Sequence, residues 1–175
     1  MLIRIALLGL LLIAGTVIES AWLSRLRLPG GPDLVLLIVV VAGVRGGLLN
    51  GTLLGLTAGY LRDLASGSPL GVFTIGYLVV GVAAGSAISV VDLDDVFAPG
   101  AAAAGASALL HLTVGAVVAA TGAAPVDGIV LLEGLGLSAV LNAPLARPVD
   151  ALVRWVDRVT RRRFPEKAIG YRVLR

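Results

Sequence analysis

Hydrophobic residues along this chain come in long runs rather than in short alternating stretches. Four runs contain no Asp, Glu, Lys or Arg: Ile5–Ile18, Leu34–Val44, Val72–Val91 and Ala101–Ala120. Inside a bilayer every backbone N–H and C=O must be paired within the protein, so only helices and closed barrels can span it. Because the runs lack the two-residue alternation of barrel strands, they predict membrane-spanning helices.

The runs and the breaks between them predict six spanning helices. The first covers about residues 3–22, and we expect it to be a retained span, although Arg4 and the apolar run after it also resemble a signal peptide. The last three are expected from Pro69 to about residue 91, over about 96–120 and over about 126–146. Asp33 stands where it would cap the second helix.

The second run raises a question of length. Leu34–Val44 would form a helix only about 16 Å long at 1.5 Å per residue, whereas the hydrocarbon core is ~30 Å thick. The longer segment from Leu34 to Leu64 has too many residues for one ordinary span and too few for two full-length spans. We therefore expect a short or broken second helix, in which two short helices meet near Arg45. The alternative is one long tilted helix.

A ladder of glycines runs through the segment "RGGLLNGTLLGLTAGYLRDLASGSPLG", residues 45–71. Its members recur at every fourth position: Gly47, Gly51, Gly55 and Gly59. Residues four apart stack on one helix face, and helices associate in lipid by close backbone approach. The ladder therefore predicts a tight packing face. Its partner is expected to be a helix of the same bundle, while a helix of another protein or a small ligand stays as an alternative.

Asp63 is the next residue on the same stripe, and Arg62 lies beside it. An ionisable side chain at membrane depth is costly and is a functional candidate for that reason. Asp63 can instead lie at the interface and cap the turn that follows. We favour the structural interpretation and keep an interaction site as the alternative.

Few other polar residues lie in the predicted spans: Glu19, Arg45, Asn50, His111, Glu133 and Asn142. His111 and Glu133 are on the fifth and sixth spans, where we expect them to pair between helices. Arg45 is expected to pair with Glu19 or Asp63 and so to hold the short second helix in place. A single histidine of this kind favours a packing role over a proton relay.

Composition narrows the class of protein. Apolar residues make up 58% of the chain, the mean hydropathy is +0.99 and only 14% of residues are charged, which excludes a soluble domain. There is no cysteine and only one histidine, so disulfides, thiolate catalysis and the usual zinc sites are excluded. Neither a nucleophile elbow nor a phosphate-binding loop is present. Three aspartates between residues 92 and 95 lie in a predicted loop without a nearby basic residue in sequence. We therefore expect that the protein is not an enzyme and that it uses no cofactor or metal.

Charge is concentrated at the C-terminus. Residues 147–175 contain nine basic and three acidic residues, which places the C-terminus in the cytoplasm by the positive-inside rule. Six spans then place the N-terminus there too. After Pro148 the spacing predicts an amphipathic helix whose basic face lies on an anionic membrane surface. Its basic residues are Arg154, Arg158, Arg161, Arg162 and Arg163. We expect a membrane domain over 1–147, a cytoplasmic segment over 148–175 and no nucleic-acid partner.

One block of the sequence resembles a known family. Glu19 and Ser20 end the first span, "PGGPDLVLL" begins the second with Pro32-Asp33, the glycine ladder ends in Asp63, and Pro69-Leu70-Gly71 follows. In these features, over Glu19–Gly71, the chain resembles the rod shape-determining protein MreD family. Outside this block the resemblance extends only to hydropathy, size and the basic tail.

The resemblance implies a non-catalytic scaffold of the bacterial cytoplasmic membrane. MreD proteins belong to the cell-elongation machinery, where they bind the single-span protein MreC and work with RodA, a penicillin-binding transpeptidase and MreB filaments in cell-shape maintenance and side-wall peptidoglycan synthesis. The resemblance also implies an all-α six-helix bundle like the S-components of energy-coupling-factor transporters. It assigns helix packing or partner binding to Gly47, Gly51, Gly55, Gly59, Arg62, Asp63, Pro69 and Gly71. The alternative function is an S-component-like vitamin-binding subunit. The chain has only eight aromatic residues and few polar groups in its predicted spans, which disfavours a vitamin pocket.

Overall fold

A computed structural model describes residues 2–21, 31–122 and 127–163. Within these ranges the regular structure is helical. The α-helices are α1 Leu2–Ala21, α2 Leu34–Ser66, α3 Val72–Ser86, α4 Ala98–Thr121 and α5 Gly128–Arg163, with a 3-10 turn at Ala87–Ser89. In the described part of the chain, five helices are long and apolar enough to cross a membrane. The described part of the chain is therefore all-helical, and the five apolar helices indicate a multi-pass membrane protein.

Helix α2 turns back on itself at Gly47. The backbone there has φ 79° and ψ −178°, a conformation open to glycine and to few other residues. The carboxylate of Glu19 accepts a hydrogen bond from the Val35 amide, at 3.0 Å, and also pairs with Arg62. A straight helix would separate Val35 from Arg62 by about 40 Å. Helix α2 is therefore a hairpin with two antiparallel arms, residues 34–46 and 48–66.

The hairpin confirms the expectation of two short helices and contradicts one long tilted helix. The break lies at Gly47, two residues beyond Arg45. Every residue from Val35 to Val44 is buried, so the first arm, only about 20 Å long, forms the centre of the bundle. This explains why its sequence is hydrophobic on all sides. Six spans remain a prediction, because the two arms together form one of the five helices that meet the criteria for a span.

The glycine ladder packs the second arm of α2 against α3. A Cβ added to Gly59 would lie 2.5 Å from Thr74 Cα, and one added to Gly55 would overlap the Tyr77 carbonyl. Gly51 and Gly81 face each other in the same way, so that a Cβ on either would overlap the carbonyl of the other. The backbones of the two helices are thus in direct contact, which confirms the predicted packing face within the bundle for Gly51, Gly55 and Gly59, whereas Gly47 forms the turn. The groove is filled by α3 and offers no room for another protein's helix.

Helix α5 runs without interruption through Pro144 and Pro148. The sixth span was expected to end near residue 146, whereas the helix continues to Arg163. The expected boundary between a membrane domain over 1–147 and a cytoplasmic segment over 148–175 remains a prediction. Proline is tolerated within membrane-protein helices because neighbouring groups satisfy the freed backbone carbonyls. Helix geometry here continues because the residues beyond Pro148 pack inside the bundle, as three buried valines show: Val149, Val153 and Val156.

The apolar face of the C-terminal part of α5 therefore packs against other helices of the bundle. The prediction that this face lies on the membrane surface is wrong for residues 149–156. Arg154 is half-buried and binds Asp94 at 3.4 Å, whereas Arg158 is exposed. The side chains of residues 161–163 lie outside the described residues, so a membrane-surface role for Arg161, Arg162 and Arg163 remains a prediction.

Candidate functional site

Charged side chains gather at two opposite ends of the bundle. Those at the hairpin turn of α2 form the Arg45 end: Arg4, Arg45, Asp94, Asp150 and Asp157. Those near the tip of the second arm form the Arg62 end: Glu19, Asp33, Arg62 and Asp63. Arg45 lies two residues before the turn at Gly47, whereas Arg62 lies about 22 Å beyond Gly47 along the second arm at 1.5 Å per residue. The two arginines are therefore at opposite ends of the bundle.

At the Arg62 end, Glu19 joins α1 to both arms of α2. Its side chain is 3% exposed. One carboxylate oxygen accepts the hydrogen bond from the Val35 amide, and the other pairs with Arg62. Glu19 therefore satisfies a backbone donor in the first turn of α2 and neutralises a half-buried cation at the same time. The predicted pair of Glu19 with Arg45 is wrong.

Asp33 is the centre of a second polar chain that links α2, α3, α4 and α5. It caps α2 as predicted, because its carboxylate accepts a hydrogen bond from the Leu36 amide at 2.7 Å. Tyr77 donates its hydroxyl proton to Asp33, and the Asp33 amide donates to Asn142 Oδ1 at 2.8 Å. The Asn142 amide group in turn donates to Ser107 Oγ at 2.9 Å.

Tyr77 and Ser107, which belong to this chain of hydrogen bonds, were not among the polar residues singled out from the sequence. Tyr77 is fully buried. A tyrosine within an apolar run offered a signal, because a buried tyrosine hydroxyl requires a hydrogen-bond partner. The identity of its partner depended on the hairpin, which brings the start of α2 beside α3.

Asp63 caps the N-terminus of α3. Its buried carboxylate accepts hydrogen bonds from the amides of Gly71, Phe73 and Thr74 at 2.8, 2.8 and 3.1 Å, and from Thr74 Oγ1 at 2.6 Å. The turn before α3 has Gly71 at φ 107°, and Pro69 offers its carbonyl to the Val72 amide at 3.3 Å. The capping interpretation of Asp63 is confirmed. Arg62, Asp63, Pro69 and Gly71 thus shape one end of the bundle.

Arg45 binds acids at the opposite end. Its guanidinium lies 2.7 Å from the buried Asp150 and 3.2 Å from Asp94. The loop aspartate Asp94 thus has a basic partner that sequence proximity did not reveal. Arg4 binds Asp157 at 2.7 Å and ties the start of α1 to the end of α5. The predicted pairs of Arg45 with Glu19 or Asp63 are wrong because the hairpin places Arg45 at the far end.

His111 bonds to serine rather than to Glu133. Its Nδ1 lies 2.8 Å from the Ser107 carbonyl, and its Nε2 lies 3.4 Å from Ser138 Oγ. Glu133 is exposed on the outer side of α5. The predicted His111–Glu133 pair is wrong, since the two residues face different directions. Asn50 donates to the Gly46 carbonyl and stabilises the hairpin turn.

A cavity of about 580 Å³ opens at the Arg62 end between α2, α3, α4 and α5. That volume lies within the usual range for small-molecule sites. Its polar lining residues are Asp33, Arg62, His111, Asp127, Ser138 and Asn142. Its apolar wall is made of Leu36, Phe73, Leu110, Val114, Val118, Val130 and Leu131, and Gly31, Gly115 and Gly134 complete the lining. Arg62 also lies over the Phe73 ring, 5.8 Å from its centroid.

Among residues 2–21, 31–122 and 127–163, no three His, Asp or Glu side chains gather as metal ligands. Comparison of the chain with known protein families, with curated proteins and with solved structures finds no match.

Proposed function

We propose that this protein is an MreD-like membrane scaffold of the bacterial cell-elongation machinery, which binds MreC and supports side-wall peptidoglycan synthesis without catalysing a reaction. The proposal rests on the block Glu19–Gly71, where the resemblance lies. One observation supports it beyond the sequence: the residues that carry the resemblance act together as a structural unit.

The role of each of these residues is to hold the bundle. Glu19 and Asp33 fix the start of α2, and Asp63 fixes the start of α3. The ladder seats the second arm of α2 on α3. Capping accounts for Glu19, Asp33 and Asp63 and close packing accounts for the ladder, and holding helices together in this way is what a scaffold requires.

The proposed placement is the bacterial cytoplasmic membrane, with six passes and both termini in the cytoplasm. Counting both arms of α2 as passes puts the start of α1 and the end of α5 on the same side, in agreement with the ion pair between Arg4 and Asp157. The basic residues that follow α5 then favour the cytoplasm for the Arg45 end. A six-helix arrangement of this kind is the one expected of the S-component-like fold.

Affinity purification tests this function. We expect the tagged full-length chain, extracted from its native membrane in mild detergent, to co-elute with MreC, and RodA, the penicillin-binding transpeptidase and MreB to follow at lower yield. The matched control is the Gly105→Leu variant, because a Cβ added at this position meets no atom within 4 Å, and we expect it to leave co-elution unchanged. Recovery of a cytoplasmic ATPase module in place of MreC would contradict the scaffold and favour the vitamin-transporter alternative.

A further inference from the structure

The cavity at the Arg62 end has two unlike parts. Towards the mouth, Val114 and Val118 of α4 face Val130 and Leu131 of α5 and form an apolar wall. Deeper in the bundle, the lining changes to His111, Ser138, Asn142 and Asp33. A site of this kind binds a molecule with an apolar body and one polar head, because the wall excludes water from the body while the floor orients the head.

The floor offers mainly hydrogen-bond acceptors. His111 Nδ1 faces the Ser107 carbonyl and must carry a proton, since a carbonyl oxygen only accepts. In the neutral ring Nε2 is then an acceptor. The Ser138 hydroxyl has one proton and its oxygen lies 3.4 Å both from this Nε2 and from the Gly31 carbonyl, so at least one of these two acceptors stays open. The Asp33 carboxylate accepts one hydrogen bond from Leu36 and one from Tyr77, which leaves half of its roughly four lone-pair positions for a further donor.

Charge at the cavity points in the same direction. Arg62 is the cation in the described lining, and Glu19 behind it neutralises that charge through their ion pair. Asp33 on the floor and Asp127 at the mouth keep the described surroundings negative. An anionic head would meet this negative field, whereas a cationic head with N–H donors would complement both the charge and the acceptors.

We propose that this cavity binds an organic cation, with a protonated amine head on the floor at Asp33, His111 and Ser138 and a compact apolar body against the valine wall. Arg62 stacked on Phe73 closes the side of the cavity next to the second arm of α2. The inference is independent of the scaffold function, since it rests on groups within one chain and needs no partner protein.

Equilibrium dialysis of the full-length chain in detergent tests the proposal with three probes of similar shape: phenylethylammonium, neutral phenylethanol and anionic phenylpropionate. We expect saturable binding of the ammonium probe at one molecule per chain, and affinity lower by at least about tenfold for the alcohol and the carboxylate, equivalent to ~1.4 kcal/mol. Equal binding of the three probes would overturn the proposal.

Two variants locate the site. Val118→Trp fills the apolar wall and is expected to lower the affinity for phenylethylammonium at least about tenfold. Leu112→Trp introduces the same side chain on the same helix, but at an exposed position. We expect this variant to bind phenylethylammonium like the unaltered chain. Circular dichroism and size-exclusion chromatography establish that both variants are folded. Undiminished binding by folded Val118→Trp would show that the probe binds elsewhere and would refute the cavity site.

Discussion

Replacing Gly55 by leucine is expected to prevent the bundle from assembling. A Cβ at this position would overlap the Tyr77 carbonyl and lie 3.2 Å from Gly81 Cα, even before the rest of a side chain is added. Because both neighbours are backbone atoms, a rotamer change cannot relieve the overlap, and the second arm of α2 must separate from α3. We expect a loss in the free energy of unfolding of about 3 kcal/mol or more, at or above the top of the usual ~1–3 kcal/mol range for overpacked cores.

The measurement is size-exclusion chromatography in mild detergent together with thermal unfolding followed by circular dichroism. Gly105→Leu is the matched control, because this glycine is also within a helix but an added Cβ there meets no atom within 4 Å. We expect the control to elute and unfold like the unaltered chain. Equal stability of Gly55→Leu and Gly105→Leu would mean that the backbones of α2 and α3 are not in contact along the ladder.

Replacing Glu19 by alanine is the second change for which we expect a large effect. The substitution leaves the partly buried Arg62 without its carboxylate and removes the acceptor of the Val35 amide. Breaking a buried ion pair from one side costs about 3–5 kcal/mol, because the remaining charge stays desolvated. We therefore expect Glu19→Ala to lower the free energy of unfolding by an amount in that range, measured by denaturant titration in detergent.

Two further variants separate this effect from a general loss of charge. Glu133→Ala removes a glutamate from the exposed side of α5 and is expected to change stability by less than ~0.5 kcal/mol. The double variant Glu19→Ala with Arg62→Ala is expected to be less destabilised than the sum of the single variants, because no unpaired charge is left behind. Strict additivity would contradict the ion pair as the source of the effect.

Local features of this fold could be predicted from sequence. Asp33 as a cap of α2, Asp63 as a cap of the turn before α3 and the ladder as a packing face each depend on residues within a few turns of one another. The break in α2 followed from a mismatch between helix length and bilayer thickness. Even so, the break was predicted near Arg45, whereas the residue with the positive φ that forms the turn is Gly47.

The partners of distant charges could not be predicted from sequence. Arg45 was expected to pair with Glu19, since both are ionisable residues in predicted spans. The hairpin places them at opposite ends of the bundle, and Arg45 instead forms ion pairs with Asp150 and Asp94. The sixth span was expected to end near residue 146, before Pro148. Helix α5 continues because the residues beyond the proline pack in the core, an effect of tertiary structure that no local pattern expresses.

The cavity was beyond the reach of sequence analysis for a related reason. Its lining comes from four helices and from the segments before α2 and α5. The small number of polar residues in the predicted spans disfavoured a ligand site. The fold gathers several of them, among them His111, Ser138 and Asn142, on one cavity floor. A low overall number of polar residues therefore did not predict how polar one site would be.

The reversal of α2 at Gly47 is the central claim, since the ion pairs, the cavity and the six-pass topology all depend on it. Labelling of single cysteines in intact cells tests it most directly, because the chain has no cysteine of its own. Gly31→Cys lies before α2 and Leu70→Cys lies in the exposed turn after it. With a membrane-impermeant maleimide, we expect both to label from outside the cell, and Asp95→Cys at the Arg45 end to label only after permeabilisation. Labelling of Gly31→Cys and Leu70→Cys from opposite sides of the membrane would show that α2 crosses once and would contradict the hairpin.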